Sequence, residues 1–99
     1  MYIPGMDRLK DARQIERHFK GVSNHWRIRI LQSLEEKSEM TLEELWESLN
    51  ANEKTISEHT RRLVLAGLID KTYEGRSVIH KLSPYGKLFC RFIKTLQHS

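Results

Sequence analysis

Residues 41–68, TLEELWESLNANEKTISEHTRRLVLAGL, contain two short amphipathic segments separated by only a few polar residues. The first segment opens on a threonine that is followed three residues later by a glutamate. The side chains of Thr41 and Glu44 can each accept a hydrogen bond from a free backbone N–H at a helix start. Its apolar residues have the i, i+3, i+4, i+7 spacing of one helical face, namely Leu42, Leu45, Trp46 and Leu49. The segment is predicted to be a short helix that buries one side, Trp46 included.

The second segment is predicted to be a helix that begins near Asn52 or Glu53 and ends at Gly67, because glycine is favoured where a helix terminates. On a helical projection, one side gathers Ile56, Thr60, Leu63 and Gly67, flanked by His59 and Ala66. The opposite side carries Lys54, Ser57, Glu58, Arg61 and Leu65, with Thr55 and Arg62 beside them. This helix is therefore predicted to bury one side and to expose a strongly polar one.

A hairpin and a last helix are predicted to follow this stretch. Residues 68–73 and 77–82 have the composition of two strands, and Glu74-Gly75-Arg76 between them forms a loop of hairpin length. Ser83 is placed to cap the next helix, with Pro84 at its first position. The apolar residues of that helix follow one face, as Tyr85, Leu88, Phe89, Phe92, Ile93 and Leu96.

Two further helices are predicted before the stretch. The first runs from about residue 6 to residue 20, where apolar residues recur as Met6, Leu9, Ala12, Ile15 and Phe19. The second has Ser23 as its predicted N-cap and Ile28, Leu31 and Leu34 on its apolar side. The fold predicted for residues 1–99 is a single, mostly α winged helix-turn-helix domain of about five helices and a two-stranded wing.

The charges are unevenly distributed along the chain. The net charge of +4 favours a polyanionic partner only weakly. Residues 35–52, however, carry six acidic residues and one basic residue, whereas residues 53–91 carry eight basic residues and four acidic ones. A nucleic acid is therefore expected to approach the second helix of the opening stretch and the hairpin after it.

Several classes of protein are disfavoured by the sequence. It contains no apolar run long enough to span a membrane and no signal peptide, and a single cysteine excludes an intramolecular disulfide framework. A cytoplasmic protein is the simplest expectation. An enzyme is not expected, because there is no glycine-rich phosphate loop, no paired metal-ligand motif and no nucleophile–base arrangement.

The polar side of the second helix is the candidate surface for double-stranded DNA. Lys54, Ser57 and Arg61 can donate hydrogen bonds to base edges or phosphates in the major groove. Arg76 at the hairpin tip can reach a neighbouring minor groove or the backbone. The predicted DNA-binding residues are Lys54, Thr55, Ser57, Glu58, Arg61, Arg62 and Arg76. The alternative is a winged-helix module that binds proteins and does not read DNA.

Glu58 is the unexpected member of this surface, because a carboxylate repels phosphates. It could accept a hydrogen bond from a cytosine amino group. The commoner arrangement, which the sequence favours, is an intrahelical ion pair with Arg62 four residues later.

Three segments resemble signatures of the ArsR-type winged-helix repressors: FKGVSNHWRIRIL at residues 19–31, TISEHTRRLVLAGLI at 55–69 and YEGRSVIHKLSPYG at 73–86. The resemblance covers roughly Phe19 to Gly86. It implies a homodimeric transcriptional regulator whose terminal helices pair across the dimer, with repression as the family's usual mode. The corollary of such a two-fold dimer is an inverted-repeat operator.

The apolar faces of the terminal helices, at about residues 6–20 and 84–97, support the same expectation. One side of the last helix could pack on the domain's own core. A small winged helix, however, has limited surface with which to cover both faces, and a two-fold dimer would bury them together. The predicted interface comprises Leu9, Phe19, Tyr85, Leu88, Phe89, Phe92, Ile93 and Leu96.

No metal or cofactor is expected, because the sequence departs from the family's best-known metal sites. Thr41 and Glu43 fall where one such site has two cysteines, and a hydroxyl and a carboxylate are not soft ligands. The last helix offers His98 but no acidic residue. A site built from His18, Cys90 and His98 is the alternative.

The other titratable groups are expected to be structural. His25 is predicted to be a surface residue, and His59 and His80 are predicted to be structural rather than ligands, because no ligand at suitable spacing joins them. For Cys90, a buried or inert thiol is favoured over a redox switch, since no nearby group obviously depresses its pKa.

Overall fold

The computed structural model describes residues 9–99. Its elements, in chain order, are α1 (Ala12–Val22), α2 (His25–Lys37), β1 (Met40–Thr41), α3 (Leu42–Ser48), α4 (Glu53–Leu65), β2 (Ile69–Glu74), β3 (Ser77–Leu82) and α5 (Pro84–Gln97). Helices α3 and α4 form the helix-turn-helix, and β2 and β3 form the wing. The predicted winged helix-turn-helix is confirmed, including its five helices.

The first helix begins later than predicted. The Asp11 side chain accepts a hydrogen bond from the Gln14 backbone N–H, and the Gln14 side chain accepts one from the Asp11 N–H, each at 2.9 Å. This reciprocal cap fixes the start of α1 at Ala12, so Leu9 precedes the helix. The predicted residues 6–8 lie outside the described part of the chain, and the helix continues to Val22 rather than ending at residue 20.

The predicted N-cap of α2 was wrong by one residue. Ser23 still belongs to the end of α1, because its backbone N–H donates to the carbonyl groups of Phe19 and Lys20. Asn24 caps α2 instead, and its side chain accepts from the backbone N–H groups of Trp26 and Arg27. The sequence offers two adjacent residues suited to capping, and tertiary structure decides between them.

The wing has a third strand that the sequence did not predict. Strand β1 pairs with β3, with Met40 opposite His80 and Thr41 opposite Ile79, so the antiparallel order is β1-β3-β2. The predicted three-residue loop is also shorter in the structure, because Glu74 pairs with Ser77 and leaves only Gly75 and Arg76 in the turn. Gly75 adopts a φ of +63°, which glycine reaches without steric cost.

The hydrophobic core is centred on α2, which packs against α3, α4, α5 and β3. Its fully buried aliphatic side chains come from several elements and are Ile30, Leu31, Leu34, Leu45, Ile56, Leu63, Leu68 and Ile69. The apolar face of α2 is therefore displaced from the prediction, since Ile30 is buried while Ile28 is only partly so. Trp46 packs half-buried against this core, which supports its predicted structural role. Among residues 9–99 there is no helix of the length and apolarity that crossing a membrane requires.

Candidate nucleic-acid interface

Helix α4 presents the predicted polar side to solvent. Its start is fixed by Asn52, whose side chain accepts from the backbone N–H groups of Lys54 and Thr55. Ile56, Thr60 and Leu63 are buried on the core side, as predicted. On the opposite side, Lys54, Arg61 and Arg62 are exposed, and Thr55, Ser57 and Glu58 are half-buried. The structure thus brings all six predicted α4 residues to one accessible surface.

The wing adds two cations, of which only one was predicted. Arg76 is exposed at the hairpin tip, as expected. A groove of about 300 Å³ runs between α4 and the wing, with Ser57 and Arg61 on one side and Lys71 of β2 on the other. Lys71 was missed because the sequence gives no sign of which strand residues face α4. Its exposed ammonium group extends the basic surface from the helix onto the wing.

Glu58 binds two arginines on the same surface. Its carboxylate accepts from Arg61 Nη2 at 2.8 Å and Arg61 Nε at 3.2 Å, and from Arg62 Nε at 3.0 Å. The predicted ion pair with Arg62 is confirmed, whereas the bidentate pair with Arg61 was not predicted. The hydrogen bonds from Arg61, and then the one from Arg62, lower the pKa of Glu58 to about 2. The carboxylate is therefore ionised at neutral pH, and the ion pairs would be lost only as the pH falls towards about 2.

We expect Glu58→Gln to strengthen binding to duplexes of any sequence. Removing the carboxylate frees two guanidinium groups. The slope of the logarithm of the binding constant against the logarithm of the salt concentration should then become steeper by about 0.9 for each arginine that contacts a phosphate. Fluorescence anisotropy with a random-sequence duplex at several KCl concentrations measures both quantities. Glu36→Gln, an exposed α2 substitution with the same charge change, is the matched control. An equal effect in the two variants would contradict a specific role for Glu58.

A buried arginine that was not predicted lies behind α4. Arg27 of α2 is only 9% exposed, and its Nη1 donates to His59 Nδ1 at 3.1 Å while its Nη2 donates to the Lys20 carbonyl at 3.4 Å. Burial, and then the charges of Arg27 and Arg62, lower the pKa of His59, so this histidine is neutral and structural, as predicted. The sequence does contain a sign of this burial. The i, i+3, i+4, i+7 spacing of one helical face is shared by Arg27, Ile30, Leu31 and Leu34.

The remaining candidate ligands are separated from one another. Cys90 is buried, with its thiol donating to the Leu31 carbonyl at 3.6 Å, while His18 Nδ1 bonds the Ala66 carbonyl at 2.8 Å. Burial, followed by the nearby Glu35 carboxylate, raises the pKa of Cys90 to about 11. The thiol is buried, as predicted, and its raised pKa disfavours the reactive thiolate. Within residues 9–99 no three His, Cys, Asp or Glu side chains lie close enough to hold a metal ion.

His80 also matches its predicted structural role. It is buried on β3, where desolvation lowers its pKa, and its Nδ1 has no hydrogen-bond partner among the described residues. His25 is exposed at the start of α2, as predicted.

A second accessible surface is formed by the predicted interface residues of α1 and α5, together with Leu9 just before α1. Leu88 and Phe92 are 58% and 51% exposed, and Leu9, Phe19, Tyr85 and Leu96 are exposed as well. Phe89 is half-buried and packs edge-to-face on Phe19, with ring centroids 5.2 Å apart. Ile93, by contrast, is buried in the core at 8% exposure, so its inclusion in the interface is not supported. It shares the inner side of α5 with Gly86 and Cys90.

These features define a class of protein: a helix-turn-helix whose second helix exposes a basic, polar side, followed by a β-hairpin wing. Residues 24–71, from the N-cap of α2 into β2, match the family model described as "Bacterial regulatory protein, arsR family". The ArsR-family similarity that the sequence resemblance indicated is thus confirmed over residues 24–71. The matching family is one of regulatory proteins rather than enzymes.

Solved structures share this fold over most of the chain. HlyU from Vibrio cholerae is 24% identical with a TM-score of 0.79, covering 91% of this chain and 98% of that one. The homodimeric winged helix-turn-helix DNA-binding domain of a possible ArsR-family regulator from Mycobacterium bovis is 21% identical with a TM-score of 0.78, covering 98% and 88%. A possible transcriptional regulator for arsenical resistance is 28% identical with a TM-score of 0.66, covering 80% and 81%. No curated protein matches the chain.

Proposed function

We propose that this protein is a homodimeric transcriptional regulator that binds double-stranded DNA sequence-specifically and represses through an inverted-repeat operator. The observation that carries the proposal is the exposed polar side of α4, which lies beside a wing that carries Arg76 at its tip. The ArsR family model over residues 24–71 supports the same function.

The apolar surface on α1 and α5 supports the dimer. Large apolar side chains that cluster on an accessible surface favour burial against a partner. A second copy is the partner that the Mycobacterium bovis domain, described as homodimeric, suggests. A two-fold dimer would place two α4 helices about 34 Å apart, which is the length of one turn of DNA. The two half-sites of an inverted repeat have this spacing and the same two-fold symmetry. The terminal dimerisation helices would then be α1 and α5 of this single domain.

The proposal is tested by two kinds of substitution in the predicted DNA-binding residues. Arg61→Ala and Lys54→Ala should each weaken operator binding by about 1–3 kcal/mol, if the side chain makes a bidentate base contact, and should relax specificity at one position. Arg76→Ala should weaken binding to all sequences alike and flatten the salt dependence by about 0.9 in slope, as expected of a phosphate contact.

Gel shifts at two salt concentrations, with the DNA upstream of the protein's own gene and a scrambled duplex, distinguish these effects. Lys37→Ala provides the control, because Lys37 is an exposed cation at the end of α2, outside the α4 surface and the wing. Wild-type affinity in all three variants would show that α4 and the wing do not bind DNA, and would favour a protein-interaction module.

A further inference from the structure

A second basic site lies on the side of α4 that faces α1. It is a surface pocket of about 420 Å³ at the junction of α1, α2 and α4. Four of its lining residues are basic, namely Arg17, Lys20, Arg27 and Arg62, and among residues 9–99 no acidic side chain lines it. Leu65, Ala66 and Gly21 complete the wall. Four cations therefore surround one concave space.

Arg27 is the unusual member of this group. It is nine-tenths buried, yet the only partners of its guanidinium group within residues 9–99 are the neutral His59 ring and the Lys20 carbonyl. Its Nε is buried and finds no hydrogen-bond partner in the part of the chain that the structure describes. A buried cation is costly unless a counter-charge accompanies it, and no carboxylate contacts Arg27 in the described residues. The site thus has a charge to which the protein supplies no counter-charge.

The other three cations are accessible from solvent. Arg17 forms no salt bridge within residues 9–99, and Lys20 makes only a long contact of 3.7 Å with the exposed Glu16. Arg62 is bound to Glu58 through Nε, which leaves its terminal amino groups free of ion pairs in the described part of the chain. Guanidinium and ammonium groups that converge in this way bind phosphate oxygens, by bidentate hydrogen bonds and as point charges respectively.

We propose that this pocket binds a phosphate group, with Arg17, Lys20 and Arg62 as its direct partners and the buried Arg27 supplying positive charge beneath them. The volume of the pocket is large enough for either a single phosphate group or a small phosphorylated molecule. The phosphate could belong to such a molecule or to the DNA backbone. The second source rests on the proposed function, whereas the first does not. A phosphate from either source would contact both α1, which belongs to the proposed dimer interface, and α4.

The first experiment uses the free protein. Inorganic phosphate and pyrophosphate are titrated by calorimetry and by thermal denaturation, with sodium chloride at matched ionic strength as the reference. Wild type is expected to bind and to melt at a higher temperature with pyrophosphate. Arg17→Gln and Lys20→Gln should each lose about tenfold or more in affinity, as for a hydrogen bond between charged groups.

Arg13→Gln is the matched control, because Arg13 is exposed one turn before Arg17 on the same helix and does not line the pocket. Arg27→Met keeps an unbranched side chain and removes the buried charge, so it should remain folded and also lose phosphate binding. Circular dichroism verifies the fold of each variant.

The second experiment separates the two sources. If the phosphate belongs to DNA, Arg17→Gln should reduce the log–log salt slope of duplex binding by about 0.9 and Arg13→Gln should not. Pyrophosphate should then compete with the duplex. If the ligand is a free molecule, the slope should stay unchanged while pyrophosphate binds both the free and the DNA-bound protein. No pyrophosphate binding together with equal slopes in the two variants would overturn the proposal, whether or not the protein binds an operator.

Discussion

Phe92→Glu is expected to turn the protein into a monomer and to lower its affinity for an inverted-repeat duplex by a factor of about 10² to 10⁴. Phe92 is half-exposed among apolar neighbours, so a second copy would bury it, and a buried carboxylate without a partner would prevent association. The loss in DNA affinity follows because two linked half-site contacts act at high effective concentration, whereas a monomer makes only one.

Sedimentation equilibrium at micromolar concentration measures the change, with a mass of 11.8 kDa expected for the variant and twice that for wild type. Gln97→Glu introduces the same charge at an exposed position near the end of α5 and should remain dimeric. A dimeric Phe92→Glu variant would show that the apolar surface of α5 is not the dimer interface. A monomeric wild type would refute the proposed homodimer altogether.

Gly86→Ala is expected to lower the free energy of unfolding by about 1–3 kcal/mol, the range for overpacking a close-packed site. In a domain of about 100 residues, each 1 kcal/mol lowers the melting temperature by about 4–8 °C. A methyl group on residue 86 would collide with the backbone carbonyl oxygen of Leu68 and press on the Leu82 side chain. That oxygen cannot retreat freely, because it accepts a hydrogen bond of 3.1 Å from the Ser83 N–H.

The neighbouring contacts make this junction stiff. The Ser83 hydroxyl donates to the Gly67 carbonyl at 2.6 Å and accepts from the Gly86 N–H at 3.0 Å, which ties the end of α4 to the start of α5. Lys87→Ala is the control, since Lys87 is exposed on the first turn of α5 and gains no clash. Thermal denaturation compares the two variants. Equal melting temperatures would mean that the two helices can separate slightly at little cost.

The parts of the fold that depend on local pattern were predictable from the sequence. The start of α4 and its buried side follow from Asn52 and from the spacing of Ile56, Thr60 and Leu63. Ser83 and Pro84 likewise fixed the start of α5. In each case the cap and the helical period lie within a few residues, so no distant contact is needed to recognise them.

The unpredicted parts depend on contacts between distant segments. Strand β1 has two residues and exists only because β3 pairs with it. The sequence of α5 places Phe92 and Ile93 on the same apolar face, so it could not show that Ile93 points to the core while Phe92 stays accessible. Arg27 was missed because a charged residue on an apolar face conflicts with the usual expectation that charges stay in water.

Thr41 serves two elements at once. Its backbone pairs with Ile79 in the sheet, and its hydroxyl accepts from the Glu44 N–H at 3.1 Å to cap α3. The wing and the bracing helix are therefore joined by one residue with no slack between them. A displacement of the hairpin at Gly75–Arg76 is therefore expected to shift the first turn of α3 as well. Thr41 is the residue through which the two elements would move together.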